Sequence, residues 1–136
     1  MTEKWIRWIP NNEISLKYYI ESITDNIEGL RIRLSNANNE SDRIEVVFEN
    51  SVHAYRSTDE SYMQNVINKL DEQYGSKFYQ ENTFFKVENS EYIHWLSLQS
   101  YGIAKSEPLE HFSFLGVDSV IDVIAAYEPE INKLIP

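Results

Sequence analysis

Cysteine is absent from this sequence, and glycine, proline and histidine are scarce, with four, four and three residues. The lack of cysteine excludes disulfides, thiolate metal sites and a cysteine nucleophile. The glycines are spaced too widely for a phosphate-binding loop or a dinucleotide fingerprint, which need closely spaced glycines. His53, His94 and His111 fall in three different predicted elements, without the i, i+4 spacing that places two imidazoles on one helical face. We therefore predict no metal site and no cofactor.

A signature for catalysis is also missing. No serine lies in a GxSxG motif, so the sequence does not single out a nucleophile among its many serines. Carboxylates are abundant, but the sequence cannot place two of them at the ~5 to ~10 Å separation that glycosidase chemistry requires. We predict no catalytic residue.

Long hydrophobic runs do not occur. The sequence opens without an apolar run of signal-peptide length, and no stretch approaches the ~18 apolar residues of a membrane span. We expect a soluble, cytoplasmic protein that does not enter a membrane.

Basic residues are few relative to acidic ones, at 12 against 22, which gives a net charge of −10. Residues 1–36 hold five of each sign, so the whole acidic excess lies in residues 37–136. Such a surface repels phosphate backbones and anionic lipids, whose recognition depends on Lys and Arg. The charge excludes nucleic acid as a partner and favours a basic protein, unless it serves solubility alone.

The composition is that of a chain that can build a core. Hydrophobic residues make up 42% and aromatic residues 13% of the 136 positions, and no linker or repeat interrupts them. This length is typical of one domain, so we predict a single domain over residues 1–136.

Alternating apolar residues in the first half predict strands. They occur in residues 16–23, 30–34 and 44–48. If the Asn-rich segment 35–42 closes a hairpin, Leu34 faces Ile44, Ile32 faces Val46 and Leu30 faces Phe48, while Arg33 meets Glu45 on the other side. One register satisfies both faces.

The stretch SVHAYRSTDESY, residues 51–62, reads as the junction of a strand and a helix. Residues 52–56 predict a short strand, and Arg56 at its end is more typical of a structural ion pair than of a partner contact. Ser57 or Thr58 is a good N-cap residue, and Glu60 three positions after Ser57 completes a capping box. The predicted helix carries an apolar stripe from Tyr62 to Tyr74 and ends at Gly75.

The second half of the sequence predicts further short elements. These are a helical turn in KFYQEN, a strand in FFKVE, a helix capped by Ser90 and ending by Gly102, and a strand at 112–115. Residues 118–127 are compatible with a helix capped by Ser119, but their β-branched residues favour a strand. The fold class is α+β, with a mainly antiparallel, meander-like sheet covered by two helices.

Three stretches, SVHAYRSTDES, TFFKVENSEYIHWLSLQSYGI and HFSFLGVDSVIDVIAAYEPEI, resemble a family of small acidic proteins of Bacillus-type bacteria. The similarity spans residues 44–132. The final pattern, an aromatic strand followed by VIDVIA and Glu-Pro, is similar to that of immunity proteins of polymorphic or contact-dependent toxin systems. The resemblance implies a stoichiometric, non-enzymatic inhibitor of a cognate toxin domain, and carries no catalytic residue.

An acidic immunity protein is expected to associate with a basic toxin by electrostatic steering, through clustered acids and exposed aromatic residues. Two surfaces are predicted to supply these groups, the first helix and the C-terminal segment; the candidate residues are Asp59, Glu60, Asp71, Glu72, Asp118, Asp122, Tyr127, Glu128 and Glu130. A housekeeping interaction or scaffold domain, and a small hydrolase with an unrecognised carboxylate site, are the alternatives. The sequence does not predict the oligomeric state.

Overall fold

A computed structural model describes residues 3–11, 17–50, 52–103 and 108–135. Within these ranges the chain forms nine strands, three α-helices and a short 3₁₀ helix. The strands are β1 (Lys4–Arg7), β2 (Tyr18–Asn26), β3 (Gly29–Asn36), β4 (Asn39–Phe48), β5 (Val52–Asp59), β6 (Phe84–Glu88), β7 (Glu110–Leu115), β8 (Ser119–Ala125) and β9 (Glu130–Leu134). The helices are the 3₁₀ helix Glu60–Tyr62, α1 (Gln64–Tyr74), α2 (Ser76–Glu81) and α3 (Glu91–Gln99).

The strands form two antiparallel sheets. The larger has the order β1-β6-β7-β8-β5 and the smaller the order β2-β3-β4-β9. The predicted α+β class with antiparallel pairing is confirmed. The structure differs in having two sheets and three α-helices where one sheet and two helices were expected, because apolar alternation identifies strands but not the sheet that each strand joins.

The main core lies between the two sheets and is rich in aromatic residues. Tyr18 and Phe48 of the smaller sheet meet Phe84, Phe112 and Phe114 of the larger one. The rings pack edge to face, for example Phe48 against Phe112 with centroids 5.6 Å apart. Each such buried side chain contributes roughly 1.5–3 kcal/mol through removal from water, so this layer dominates the stability of the fold.

The predicted β3–β4 hairpin is confirmed in register. Leu34 pairs with Ile44, and Arg33 pairs with Glu45. Glu45 is buried, and its two carboxylate oxygens accept hydrogen bonds from Arg31 at 3.0 Å and Arg33 at 2.9 Å. The charge is therefore paired where burial alone would be costly.

The predicted start of the first helix is wrong. Ser57 and Thr58 belong to β5, where they pair with Ile121 and Val120 of β8. Their capping potential is overridden because β5 gains a ladder of backbone hydrogen bonds along the edge of the larger sheet. Asp59 caps the 3₁₀ helix instead, accepting from the Ser61 amide at 2.9 Å.

Other predicted boundaries are confirmed. Helix α1 ends at Tyr74 and is followed by Gly75, whose φ of +93° suits glycine. Ser90 caps α3, because its Oγ accepts a hydrogen bond from the Ile93 amide at 3.1 Å. Residues 119–125 are a strand, as favoured by their composition. This strand lies between β7 and β5, where both faces are covered, and so it reads as a nearly continuous apolar run.

The outer face of the larger sheet, opposite the main core, carries the helices. Leu70 of α1 and Phe78 of α2 pack there against Phe85, Leu115 and Val120. Helix α3 covers the part of this face that contains His111. Within the described ranges, no helix combines the length and apolar character needed to cross a membrane.

Candidate functional site

A groove of about 1080 Å³ runs beside α3, where the helix meets residues of β1, β6 and β7. Its apolar walls include Ile6, Val87, Ile93 and Leu109. The groove exists because the turn from β6 into α3 is abrupt: Asn89 has a φ of +55°, and the helix begins two residues later. It is large enough for a peptide segment or a small organic molecule.

Charge in the groove is mostly negative. Glu88, Glu91 and Glu110 line it, together with Lys86. The Lys86 ammonium is already engaged by carboxylates, since it donates to Glu110 at 3.3 Å and also to Glu128. A cationic group is therefore favoured in this groove over an anionic one.

The outer surface of α3 and the turn after it are unusually apolar. Trp95 and Leu98 lie one turn apart with 52% and 62% of their surface exposed. Tyr101 and Ile103 continue the exposed stretch. We call Trp95, Leu98, Tyr101 and Ile103 the α3 patch. Exposed aromatic and aliphatic side chains grouped in this way are typical of protein interfaces.

A chain of hydrogen bonds lies beneath α3. Ser90 Oγ is 2.7 Å from His111 Nδ1, and His111 Nε2 is 2.7 Å from Asp122 Oδ1. Asp122 is ionised and can only accept, so His111 carries a proton on Nε2 and donates it to Asp122. In the neutral imidazole Nδ1 is then an acceptor, and the Ser90 hydroxyl donates to it. Ser90 and His111 both line the groove.

Sheet register places these groups together. Asp122 is paired with Ser113 on one side and with Arg56 on the other, so all three share the outer face. His111 is two positions from Ser113 and therefore has the same orientation. The sharp turn after β6 then sets Ser90 over the histidine.

Asp122 is an anion held in the interior. Burial acts to raise the pKa of Asp122, but the hydrogen bond from His111, with the attraction and hydrogen bond from Arg56, holds the pKa below its usual value. Arg56 Nε lies 3.1 Å from the second carboxylate oxygen. Its guanidinium also stacks over the Tyr92 ring of α3 at 4.3 Å. The predicted structural ion pair of Arg56 is confirmed, and it ties α3 to the sheet.

The sequence-predicted partner residues do not form one surface. Six of the nine are exposed; these are Asp59, Glu72, Asp118, Tyr127, Glu128 and Glu130. Glu60 and Asp71 are half-buried, and Asp71 Oδ1 is buried without a hydrogen-bond partner within the described residues. The expectation that Asp122 belongs to an accessible face is wrong, because only 1% of it is exposed and both its oxygens are bonded inside the fold.

Three of the nine residues are brought together, and a fourth borders a separate cavity. Tyr127, Glu128 and Glu130 line a shallow cavity of about 150 Å³ next to the end of β4. Glu60 borders a second cavity of about 850 Å³, together with Lys17 and Tyr79. Two of the nine are linked to the α3 groove, Glu128 through its ion pair with Lys86 and Asp122 through its bond to His111.

Lys17 at the second cavity is a structural residue. Burial lowers the pKa of Lys17 to about 8, and attraction from Glu60 partly offsets this effect. Its Nζ donates to the carbonyls of Tyr79 at 2.7 Å, Leu115 at 2.8 Å and Asn82 at 3.2 Å. Three acceptors match the three protons of an ammonium group, so this geometry supports the charged form and fastens three segments together.

The residues that sequence reasoning missed are Ser90 as a partner of His111, and the α3 patch. One signal was present: Asp122 is the single acid inside the apolar run VIDVIA, and an acid inside a buried strand requires a partner. Which residue serves as that partner depends on strand register, and this register cannot be read from the sequence. Within the described residues, no group of three or more His, Asp or Glu side chains is arranged to hold a metal ion.

No known protein family, curated protein or solved structure shows significant similarity to this chain.

Proposed function

We propose that this chain is an immunity-type protein that binds and blocks a cognate basic toxin domain in the cytoplasm. The observation that carries the proposal is the α3 patch lying next to the acid-lined groove. Affinity at protein interfaces concentrates in aromatic and apolar anchors surrounded by charge, and this is the arrangement found along α3. The net charge of −10 supplies long-range attraction to a basic partner.

The contact surface proposed from the structure differs from the one predicted from the sequence. Trp95 and Leu98 supply the anchors, and Glu88 and Glu91 supply the nearby charge. The exposed acids of α1 and of the C-terminal segment contribute to steering at longer range, because they add to the same field.

The experiment uses the product of the gene next to this one as the candidate partner. We expect it to bind the full chain, and we expect Trp95→Ser to weaken binding at least about tenfold, as loss of an interface anchor does. Tyr62→Ser is the matched control, since Tyr62 is also an exposed aromatic residue but lies on the 3₁₀ helix. Equal binding by wild type and Trp95→Ser, with weakening by Tyr62→Ser, would place the interface near α1 instead.

Charge is tested separately from the anchors. Stopped-flow association should slow as the Debye length falls from ~10 Å at 0.1 M salt to ~3 Å at 1 M. Glu88→Lys with Glu91→Lys should slow association more than Glu72→Lys alone, which reverses an exposed acid of α1. No binding to the neighbouring gene product at any salt concentration would reject the immunity function and favour a scaffold role.

A further inference from the structure

The hydrogen-bonded chain beneath α3 has the components of an activated serine. A hydroxyl donates to an imidazole, the imidazole donates to a buried carboxylate, and the hydroxyl borders a groove. We infer that Ser90 is a nucleophile for acyl compounds, with His111 as its base and Asp122 as the residue that orients His111. This activity goes beyond toxin binding and does not depend on it.

The roles follow from proton positions. His111 Nδ1 has a lone pair directed at the Ser90 hydroxyl, so it can accept the proton as Oγ attacks. Asp122 fixes the tautomer that leaves this lone pair free, and its negative charge stabilises the imidazolium that forms. The ring nitrogens are used in the reverse order from the usual serine protease, but the donor and acceptor roles are the same.

The first turn of α3 supplies a donor for the developing negative charge. The Glu91 amide, next to Ser90, donates to the carboxylate of Glu3 at 2.8 Å. This contact shows that the amide points outward and is able to bind a carboxylate oxygen. A reacting carbonyl oxygen needs the same donor, so Glu3 competes with substrate and restrains the activity.

The proposed reaction is ester hydrolysis in two steps. Ser90 Oγ bonds to the carbonyl carbon while its proton moves to His111 Nδ1; the bond to the leaving alkoxide then breaks, and that alkoxide takes the proton from His111. Water next gives a proton to His111 and bonds to the acyl carbon, the bond to Oγ breaks, and the proton returns to Ser90. The products are a carboxylic acid and an alcohol, and no other reactant is needed.

The groove defines the substrate class. Its walls present Ile93 and Leu109, and its carboxylates are those of Glu88, Glu91 and Glu110. Neutral or cationic esters with an apolar acyl group fit these walls, whereas anionic esters are repelled.

A fluorophosphonate probe tests the inference on the full chain without any toxin. Intact-mass spectrometry should show a single added phosphonyl group on Ser90, and p-nitrophenyl butyrate should be hydrolysed. Ser90→Asn should abolish both, although asparagine still caps the helix and can donate to His111. Ser113→Ala is the matched control, because Ser113 is a buried serine on the same sheet face, and it should react like wild type.

Two further variants distinguish activation of Ser90 from a purely structural role of its hydrogen bonds. His111→Gln should slow labelling by roughly 100-fold or more, as loss of a general base does. Glu3→Gln should speed labelling, because it weakens the competing contact. Circular dichroism establishes that each variant is folded.

Absence of label on folded wild type, or equal labelling of Ser90→Asn, would overturn the inference. The chain of hydrogen bonds would then have a structural role only. An unchanged labelling rate in Glu3→Gln would overturn the proposed competition between Glu3 and substrate.

Discussion

The outer face of the larger sheet is covered in two different ways. Beneath α1 and α2 the contacts are apolar, with Leu70 and Phe78 packed on Phe85 and Leu115. Beneath α3 they are polar, and the helix is held by the bonds of Ser90 and by Arg56 under Tyr92. Apolar packing is non-directional and closes the space between layers, whereas hydrogen bonds fix a geometry and can leave a cavity beside it.

The difference also explains the exposed residues of α3. Positions facing the sheet hold Tyr92 and Ser97, while Trp95 and Leu98 face outward. Helix α3 is therefore not arranged as an ordinary amphipathic helix, in which the apolar stripe faces the core. Its attachment by polar contacts is what leaves apolar side chains available for a partner.

The largest expected effect concerns the apolar contacts between α1 and the sheet. Leu70→Ala removes a buried side chain and should lower the free energy of unfolding by about 3 kcal/mol through lost burial and a residual cavity. Leu98→Ala makes the same change on α3 and should cost less than about 0.5 kcal/mol, as exposed positions do. Urea denaturation measures both. Similar losses at the two positions would mean that α3 is packed like α1.

The next largest effect concerns the polar contacts beneath α3. Asp122→Asn should cost about 2 kcal/mol at pH 7, because Arg56 and His111 lose a charged hydrogen-bond partner. The folded-state pKa of Asp122 lies below its unfolded value, so this contribution is complete above the unfolded pKa and disappears as pH falls through the folded one.

Urea denaturation of wild type and Asp122→Asn at pH 7, 5 and 3 measures this effect. The difference in stability should be smaller at pH 3 than at pH 5. Glu72→Gln, at an exposed acid of α1, is the control. A difference that grows on acidification would contradict the depressed pKa.

A smaller effect concerns how the two regions begin their helices. Helix α3 has a side-chain cap at Ser90, whereas α1 has no side-chain cap at Met63. Ser90→Ala should therefore cost roughly 1–2 kcal/mol, while Ser90→Asn should retain most of the stability. Thermal unfolding followed by circular dichroism compares them. Equal losses for the two variants would contradict the capping role of Ser90.

The smallest expected effect tests whether Ser57 and Thr58 belong to a strand or to the start of a helix. Ser57 and Thr58 lie in β5, so replacing both with Ala should change the unfolding free energy by less than about 0.5 kcal/mol. A loss of roughly 1–2 kcal/mol would restore the capping role predicted from the sequence.

Local patterns predicted the parts of the fold that depend on neighbouring residues. The β3–β4 register, the cap at Ser90 and the strand at 119–125 all follow from alternation or capping chemistry within short segments. The position of Ser57 in a strand did not follow from such local patterns, because it depends on pairing with Ile121, which lies far away in the sequence. A capping signal and an edge strand have similar local sequences, and long-range pairing decides between them.

The candidate site was less predictable than the fold. Ser90, His111 and Asp122 come from three elements, and their contact requires the register of β7 with β8 and the turn after β6 to be known. Only the anomaly of Asp122 inside an apolar strand is visible in the sequence. The α3 patch was hidden because Trp95 and Leu98 look like core residues until the helix is oriented on the sheet.

The strand order also determines when the protein can fold. Strand β4 pairs with β9, β1 with β6 and β5 with β8, so three of the seven strand pairings in the described ranges depend on residues synthesised much later than their partners. Such distant pairings carry a large loop-closure entropy and slow folding. The β2–β4 meander can form early, but its inner face, with Ile32 and Val46, then stays exposed until the second sheet is made. We therefore expect slow refolding and a nascent chain that needs protection from aggregation.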